Sequence, residues 1–422
     1  VNGPNDKAIG IYGTNNTNIV NDGAVNVGGN KSIGILGLSY RIDHATGLAV
    51  DPTTEPYYAS ATNKADFGKI NIENSAIGTI TMDNDGAVGM FVKNNSKDSS
   101  VTATYNRAKS DLVAVNRGTI TMNGNNSAVG MGADNGTVTN DTAGKIYVNG
   151  TKSVGMYGTK DSDLTNNGEI NVVATSAGNE SIGMYIDDQD STITNTRKIN
   201  VGQSSYGIYG KKVNMNGGEI NVADDGVGIY STEGNVTLNA GSKVRVGANE
   251  GVGVFTTGTA GRTINADTNM TIGDSSFGYV IKNTGTTNLT TNGTATLGNE
   301  AKFIYSNNKD ITVTNNVPLT STGNNTYGIY SAGAVTNNAD IDFGRGTGSV
   351  AIYAIDGGTA RNAAGKTITV SGSNLSATPV PEYGMGMATS NGTIINDGTI
   401  KVALDEGIGM FASGSGSKAI NN

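Results

Sequence analysis

Residues 154–172 read VGMYGTKDSDLTNNGEINV, and the first four residues of this stretch are one instance of a phrase that recurs along the chain. The recurring phrase is a β-branched or aromatic residue, a glycine, Ile or Met, and then an aromatic residue. Its glycine falls at Gly130, Gly155, Gly183, Gly207, Gly228, Gly253 and Gly278. The steps are 25, 28, 24, 21, 25 and 25 residues. Such a period is typical of a solenoid, in which each repeat adds one coil.

Within one period the residues predict three short β-strands separated by polar corners. Strand alternation is expected to place Val154 and Met156 on one face and Tyr157 on the other, and residues 170–172 alternate in the same way. These segments are too short for helices, rich in β-branched residues and bounded by Asn and Gly. We therefore predict an all-β, right-handed parallel β-helix, with about three short strands per coil of about 25 residues and with loop insertions.

Composition excludes several classes of protein. The net charge is −8 and the basic residues are scattered, so nucleic acid is not expected as a partner. Cysteine is absent, which excludes disulfides, thiolate catalysis and cysteine-ligated metals. No apolar run approaches the roughly 18 residues that a membrane-spanning helix needs.

Both ends of the chain fall inside the repeat. The first residues align with a strand of the next coil, and the last residues stop before another anchor phrase. Neither end has the atypical polar repeat that normally caps a solenoid. We therefore expect residues 1–422 to form a single, monomeric β-helix rod that is a fragment of a longer chain.

Two residue types recur at fixed places and have alternative interpretations. Asparagines follow the strands at the corners, where they favour left-handed turns and can bond to one another along the axis. Glycan attachment at the frequent Asn-x-Ser/Thr sequences is the less favoured alternative. The aromatic residue of the anchor phrase, as in Tyr12, Tyr157, Tyr185, Tyr209 and Tyr230, is expected to stack between coils, and platforms for sugar rings are the alternative.

The repeat is broken by insertions, and insertions in repeat proteins are often binding loops. Gly34 and Gly89 are 55 residues apart, and Gly89 and Gly130 are 41 apart. We predict insertions over about 38–67, 92–113 and 371–382, of which the first two lie in adjacent coils and could form one surface. The candidate ligand-binding residues in them are Tyr40, Arg41, Asp43, His44, Tyr57, Tyr58, Tyr105 and Arg107.

Catalytic chemistry has weaker support. The only histidine, His44, lies beside Asp43 in an insertion, without a nucleophile motif. Acidic clusters at residues 187–190 and 224–225 could serve a polysaccharide-cleaving enzyme, but clusters in turns are usually solvated. Residues 83–86 (DNDG) are similar to the start of a calcium loop, yet no glutamate follows at the required position. We therefore predict no catalytic residue, no metal site and no cofactor.

The glycine of the anchor phrase is expected to be chosen for space. If it needed a positive φ, other residues would be excluded there. However, Phe303 and Ala351 occupy the equivalent position in two coils. We predict extended backbone at this position.

Residues 181–185 (SIGMY) and 166–172 (NNGEINV) carry a resemblance to a known family. The coil pattern resembles the passenger region of very large fusobacterial type V autotransporter adhesins, the RadD-like and galactose-sensitive adhesin group. The resemblance implies a virulence-associated surface protein exported unfolded, and anchored in the outer membrane by a C-terminal β-barrel outside this fragment. It transfers no ligand-binding residue, because no short binding motif is shared.

The leading hypothesis is a non-enzymatic, extracellular cell-surface adhesin. Its rod would present loops to host-cell glycans or proteins, or to partner bacteria. One alternative is a β-helix polysaccharide lyase or hydrolase. The other is a pure structural stalk with the binding tip elsewhere.

Overall fold

The computed structural model describes residues 2–3, 6–39, 69–94, 109–173, 175–378 and 382–422. The predicted fold is confirmed: these residues form a right-handed parallel β-solenoid of about 15 coils, spaced about 25 residues apart. Helix is almost absent from this part of the chain, where a single 3₁₀ turn spans Lys109–Asp111. No helix in the described segments is long and apolar enough to cross a membrane.

Each coil contributes one strand to a parallel sheet built from the anchor phrases. We call these fifteen strands the anchor strands. They are Ile9–Thr14, Ile33–Ser39, Val88–Asn94, Val129–Asp134, Val154–Thr159, Ile182–Ile186, Tyr206–Gly210, Val227–Ser231, Val252–Thr256, Phe277–Ile281, Lys302–Ser306, Tyr327–Ser331, Val350–Ile355, Met385–Ser390 and Ile408–Ser413.

The other strands, called second and third strands in their order after the anchor strand, form a second parallel sheet. The second strands are Thr17–Asn21, Ile70–Asn74, Leu112–Asn116, Thr137–Asn140, Asp163–Asn166, Thr192–Asn195, Val213–Met215, Ile311–Asn315, Ala334–Asn337, Thr359–Asn362, Thr393–Asn396 and Lys418–Asn421. The third strands are Asn2–Gly3, Ala24–Val27, Thr79–Met82, Thr119–Met122, Lys145–Val148, Glu169–Val172, Lys198–Val201, Glu219–Val222, Leu319–Ser321, Ile341–Asp342, Thr367–Val370 and Thr399–Val402. Three coils have one long strand instead of two, namely Val236–Val246, Arg262–Ile272 and Thr287–Leu297.

The chain divides into two compact units. One comprises residues 1–200 with 208–210, and the other comprises residues 201–207 with 211–422. The first unit holds the anchor strands from Ile9–Thr14 to Ile182–Ile186, and the second holds those from Val227–Ser231 to Ile408–Ser413. In each unit a column of buried apolar side chains fills the interior. Met90, Met131 and Met156 are in register in the first unit, and all three are 0% exposed.

The anchor phrase departs from simple strand alternation. We expected Val154 and Met156 on one face, and this was wrong for Val154, which is only half-buried. The inward positions are Gly155 and Met156, two consecutive residues, and the strand register passes from Val154 to Met156 without pairing the glycine. The local irregularity lets one extra residue point inward, and in most coils that residue is glycine.

Space, not conformation, selects the anchor glycine. A Cβ on Gly130 would lie 2.5 Å from the carbonyl oxygen of Gly155 in the next coil and 3.0 Å from Sδ of Met122. Its φ lies outside the left-handed region, and so does that of Phe303 at the equivalent position, which confirms the prediction of extended backbone.

Phe303 fits because a smaller residue, Ala295, takes the place that methionine has in the preceding coil. Gly278, one coil before Phe303, has Sδ of Met270 only 2.9 Å from where its Cβ would be. In the next coil Phe303 replaces the glycine, and Ala295 stands in register with Met270. Glycine with methionine and phenylalanine with alanine therefore fill similar volumes, as a close-packed interior requires.

A buried ladder of asparagine side chains lines the corner after the second strands. In the first unit each Nδ2 donates to the Oδ1 of the next asparagine at 2.8 Å, through Asn21, Asn74, Asn116, Asn140, Asn166 and Asn195. In the second unit the same chain of amides links Asn315, Asn337, Asn362, Asn396 and Asn421. Ladder and turn chemistry, predicted for the asparagines, is confirmed at these positions.

The asparagine ladder is interrupted in the coils where the second and third strands merge into one long strand. In the second unit the ladder position lacks asparagine in three successive coils, at Leu238, Ala266 and Thr291. These coils contain the three long strands, in which β-structure continues through the corner, and Gly241 and Gly293 take positive φ values of 88° and 99° within two of them. Met215 also takes the ladder position, and there Gly217, with a φ of 81°, makes the corner instead. The ladder resumes at Asn315, which accepts a hydrogen bond from the Thr291 hydroxyl at 2.9 Å, and the corner returns with it.

Replacing Asn140 by alanine tests the energetic role of the ladder. The Asn140 Nδ2 donates to Asn166 and its Oδ1 accepts from Asn116, so truncation removes one hydrogen bond from each of two buried amides. We expect the free energy of unfolding to fall by about 1–3 kcal/mol in urea titrations followed by circular dichroism.

The matched control is Asn149→Ala, which removes an exposed Asn–Asn bond of 3.0 Å to Asn123 in the same unit. Its effect should stay within about 0.5 kcal/mol. Equal losses in the two variants would contradict a stabilising role for burial of the ladder.

Candidate functional site

Two long stretches of sequence, 40–68 and 95–108, lie outside the described residues, and the strands that flank one stretch pair with the strands that flank the other. The anchor strands Ile33–Ser39 and Val88–Asn94 are paired, with Ser39 opposite Asn94. The strands at which the chain resumes, Ile70–Asn74 and Leu112–Asn116, are also paired in register. The described residues that precede the two segments are therefore neighbours in the first unit, and so are those that follow them.

Ion pairs join the bases of these segments. Nζ of Lys69 lies 3.4 Å from Oδ1 of Asp111. Lys109 forms ion pairs of 2.9 Å with both Asp161 and Asp163. We call the described residues Ser39, Lys69, Asn94 and Lys109, at which the segments leave and rejoin, the insertion corner.

Lys109 ties the second segment to a coil further along. Asp163 is in register with Thr137, which is in register with Val113, so the ion pair crosses two coil spacings. Burial lowers the pKa of the Lys109 ammonium, but hydrogen bonds and charge from Asp161 and Asp163 outweigh it, and the net pKa is raised. The end of the second segment is held against the first unit by charge.

Hydrogen bonds of two asparagine side chains link the insertion corner to the following coils. The Asn94 Nδ2 donates to Oδ1 of Asn135 at 2.6 Å, and the Asn135 Nδ2 donates to the carbonyl of Lys160 at 3.1 Å. Asn135 has a φ of 58°, the left-handed conformation that asparagine tolerates. Lys160 pairs with Asp134 at 2.9 Å. These bonds give the insertion corner a rigid, polar base.

The eight candidate ligand-binding residues belong to the two segments. Tyr40, Arg41, Asp43, His44, Tyr57, Tyr58, Tyr105 and Arg107 all lie outside the described residues. Their role therefore stays a prediction. The structure describes the residues that flank the two segments, which we call their roots, and these roots are adjacent.

The third predicted insertion starts with a short antiparallel bridge in the second unit. Asn374 and Glu382 exchange backbone hydrogen bonds of 2.8 and 3.0 Å. Oε1 of Glu382 accepts a bond of 2.8 Å from Asn325, and the Ser373 hydroxyl donates to the carbonyl of Glu406 at 2.6 Å. The segment is bonded to coils on both sides, while Tyr383 remains 43% exposed. Pro379 and Pro381 lie outside the described residues.

The acidic clusters singled out in the sequence accept hydrogen bonds from residues of neighbouring coils. Oδ2 of Asp188 accepts the N–H of Asp161 at 2.7 Å, and Oδ2 of Asp224 accepts from Nδ2 of Asn249 at 2.7 Å. Asp83 accepts from Asn123 at 2.9 Å in the stretch that is similar to a calcium loop. Within the described segments no three acidic or histidine side chains are grouped as metal ligands would be.

The predicted stacking of the anchor-phrase aromatic residues is confirmed in parts of both units, but it was wrong for Tyr12, which is in register with Leu36. In the first unit the ring centroids of Tyr157 and Tyr185 are 5.7 Å apart with an interplanar angle of 2°. In the second unit Tyr230 and Phe255 stack at 5.0 Å and 11°. Stacked rings cover one another's faces and present their edges to solvent, so these residues are poor platforms for sugar rings.

The ion pairs of Lys109 should be visible in the pH dependence of stability. Because the folded pKa is above the unfolded value, the pairs stabilise fully below the ordinary lysine pKa of 10.5, and their contribution disappears as pH rises through the folded pKa. We expect Lys109→Gln to lower the free energy of unfolding by about 0.2–1 kcal/mol at neutral pH. The difference from wild type should vanish in strong base.

The control is Lys243→Gln, which removes an exposed lysine of the second unit for which the described residues provide no ion pair. Its difference from wild type should be near zero at all pH values. A pH-independent loss in Lys109→Gln would contradict the electrostatic role of this lysine.

A family model for the BigA third pectate lyase-like domain matches the chain twice, over residues 81–257 and over residues 212–422. The two matches overlap, as a repetitive chain allows, and together they extend over more than half of the chain. No curated protein matches it. The parallel β-solenoid and the matches agree, and the chain belongs to the family of the BigA third pectate lyase-like domain.

Proposed function

We propose that this chain is the passenger region of a bacterial surface adhesin and that it binds through the segments that leave the insertion corner. The observation that carries the proposal is the adjacency of the two roots, with Ser39 opposite Asn94. Two long segments with tyrosines, arginines and a histidine begin at one place on an otherwise regular scaffold. Side chains from both segments can then contact one ligand, as in loop-based binding sites on rigid folds.

The proposed ligands are host-cell glycans or proteins, or the surface of partner bacteria. Tyr40, Tyr57, Tyr58 and Tyr105 would supply aromatic contact area, and Arg41 and Arg107 would supply cations. Asp43 and His44 would add polar contacts. Localisation at the outer membrane, and membership of the RadD-like and galactose-sensitive group of fusobacterial adhesins, are part of the same proposal and rest on the resemblance of the coil pattern.

A binding function is preferred over polysaccharide hydrolysis. Glycoside hydrolysis needs two carboxyl groups that converge on one bond. At the insertion corner Asp111, Asp161 and Asp163 are paired with lysines. Asp188 is bonded to backbone N–H groups of its own corner. These contacts match a rigid support better than an acid–base pair.

The proposal is tested with variants in which each segment is replaced by a short turn and the coil is kept. Between Thr159 and Asp163 the same corner is crossed by three residues, Lys160, Asp161 and Ser162. Replacing residues 39–69 by Asn-Gly leaves three residues between Leu38 and Asn71, and replacing residues 94–111 by Asn-Gly leaves three between Lys93 and Val113. Both variants should therefore keep the solenoid. We expect either replacement to weaken binding to cells or partner bacteria by about tenfold or more, the loss of one or two well-buried contacts.

Control variants carry the two segments with their residues in scrambled order, which preserves length and composition. They should lose binding as the shortened variants do, with unchanged circular dichroism. Full binding by the doubly shortened variant would overturn the proposal and favour a stalk. Release of reducing ends from a glycan panel by the wild-type chain would favour an enzyme.

A further inference from the structure

One coil of the second unit departs from the repeat without any insertion. Its anchor strand Lys302–Ser306 reads KFIYS, so the phrase is changed at two successive positions. Lys302 takes the first position, which is apolar in the other fourteen anchor strands. Those residues are Ile9, Ile33, Val88, Val129, Val154, Ile182, Tyr206, Val227, Val252, Phe277, Tyr327, Val350, Met385 and Ile408. Lys302 is thus the one cation in a column of apolar side chains across the described anchor strands.

The ammonium of Lys302 lies between two aromatic rings. Its Nζ is 5.0 Å from the ring centroid of Phe277 and 5.6 Å from that of Tyr327. Its hydrogen bond within the described part of the chain goes to the carbonyl of Glu300 at 3.4 Å. The Glu300 carboxylate accepts from the Ser275 hydroxyl at 2.9 Å and forms no ion pair with Lys302. Burial lowers the pKa of Lys302, and the charge of Glu300 opposes this effect.

The rings beside Lys302 are turned relative to the aromatic ladder. Tyr305 stacks on Tyr330 at 5.3 Å and 13°. Phe277 makes an angle of 75° with Tyr305, and Tyr327 makes an angle of 77° with Tyr330. Lys302 lies in register between Phe277 and Tyr327, so these two rings contact its ammonium and not one another. Phe277 and Tyr327, both half-buried, therefore retain apolar ring surface around the ammonium.

Polar groups complete this surface. The hydroxyls of Tyr305, Tyr327 and Tyr330 make no hydrogen bond to any residue that the structure describes. Burial raises the pKa of the Tyr327 and Tyr330 phenols, so they stay protonated and can donate. One cation, apolar ring surface and phenol hydroxyls are therefore combined on one face of the second unit.

The chemistry of this face selects the ligand. It is the face of a sheet, whose backbone groups are bonded within the sheet, so a peptide cannot bind by strand addition. Nucleic acids need several phosphate-binding cations, whereas this column has one. A sugar acid has the matching groups: an apolar C–H face for the rings, hydroxyls for the phenols and a carboxylate for the ammonium.

We propose that Lys302, with Phe277 and Tyr327 beside it and the hydroxyls of Tyr305 and Tyr330, binds a carboxylate-bearing sugar residue of an acidic polysaccharide. The site lies in the second unit and does not depend on the insertion corner. A ligand carboxylate replaces the weak carbonyl contact of Lys302 by a charge-assisted bond, which is stronger than a neutral one. The chain's net charge of −8 disfavours long-range attraction of polyanions, so recognition here is local.

The test measures binding of the full 422-residue chain to immobilised hyaluronan, polygalacturonate and polysialic acid by interferometry. We expect at least one of these polymers to bind, and the same polymer with its carboxyl groups reduced to alcohols to bind about tenfold more weakly. Lys302→Met should lose a similar factor, and Lys302→Arg should retain most of the affinity. Lys302→Met should fold, because Met385 occupies the same place in another coil.

Two further measurements separate this site from the insertion corner and from simple attraction of polyanions. The chain with both insertions shortened should bind the acidic polymer unchanged, so failure of the adhesion proposal would not affect this result. Poly-glutamate, which has carboxylates but no sugar ring, should bind much more weakly than the polysaccharide. Equal binding by Lys302→Met and wild type, no binding to any of the three polysaccharides, or equally tight binding of poly-glutamate would overturn the proposal.

Discussion

In-register stacking of coils is the constraint on which the rest of this structure depends. Neighbouring strands lie about 4.8 Å apart, so every residue meets its own counterpart from the next coil. A residue type that interacts well with itself is therefore repeated: Asn140 bonds to Asn166, and Tyr157 stacks on Tyr185. A side chain is excluded where a neighbouring coil leaves no room for it, as the carbonyl of Gly155 excludes one at Gly130.

Much of the fold could be predicted because this self-matching is visible in the sequence. The spacing of the anchor glycines indicates the coil, and Phe303 indicates that the glycine is not conformational. The inward turn of both Gly155 and Met156 could not be predicted by period-two alternation, because a local irregularity adds one residue to the inner face. The three long strands were also missed, since the loss of an asparagine at Leu238 or Ala266 acts through the corner and not through strand propensity.

The functional surfaces were harder to predict. The gap lengths indicated where segments are inserted, and the register adds that Ser39 and Asn94 are neighbours. The ion pairs of Lys109 link residues more than fifty positions apart, and no local pattern contains them. The sequence shows Lys302 as a charged residue at a position that is apolar in the other coils. The binding role proposed for it depends on the angle between the rings of Phe277 and Tyr305, which the sequence does not contain. On this scaffold, function is therefore sought at departures from the repeat, whether they add residues or replace one.

Cross-linking measures whether the two roots are neighbours, and the chain has no cysteine to interfere. In a Ser39→Cys/Asn94→Cys variant the two Cα atoms should be about 5 Å apart, within the range of a disulfide. We expect a disulfide to form on mild oxidation of the folded chain, seen as a loss of two hydrogen masses and located by peptide mapping. In the control Ser39→Cys/Asn135→Cys the second site lies one coil further, at about 10 Å, and should not cross-link. Absence of the disulfide in the first pair, or equal cross-linking in both, would contradict adjacent roots for the two segments.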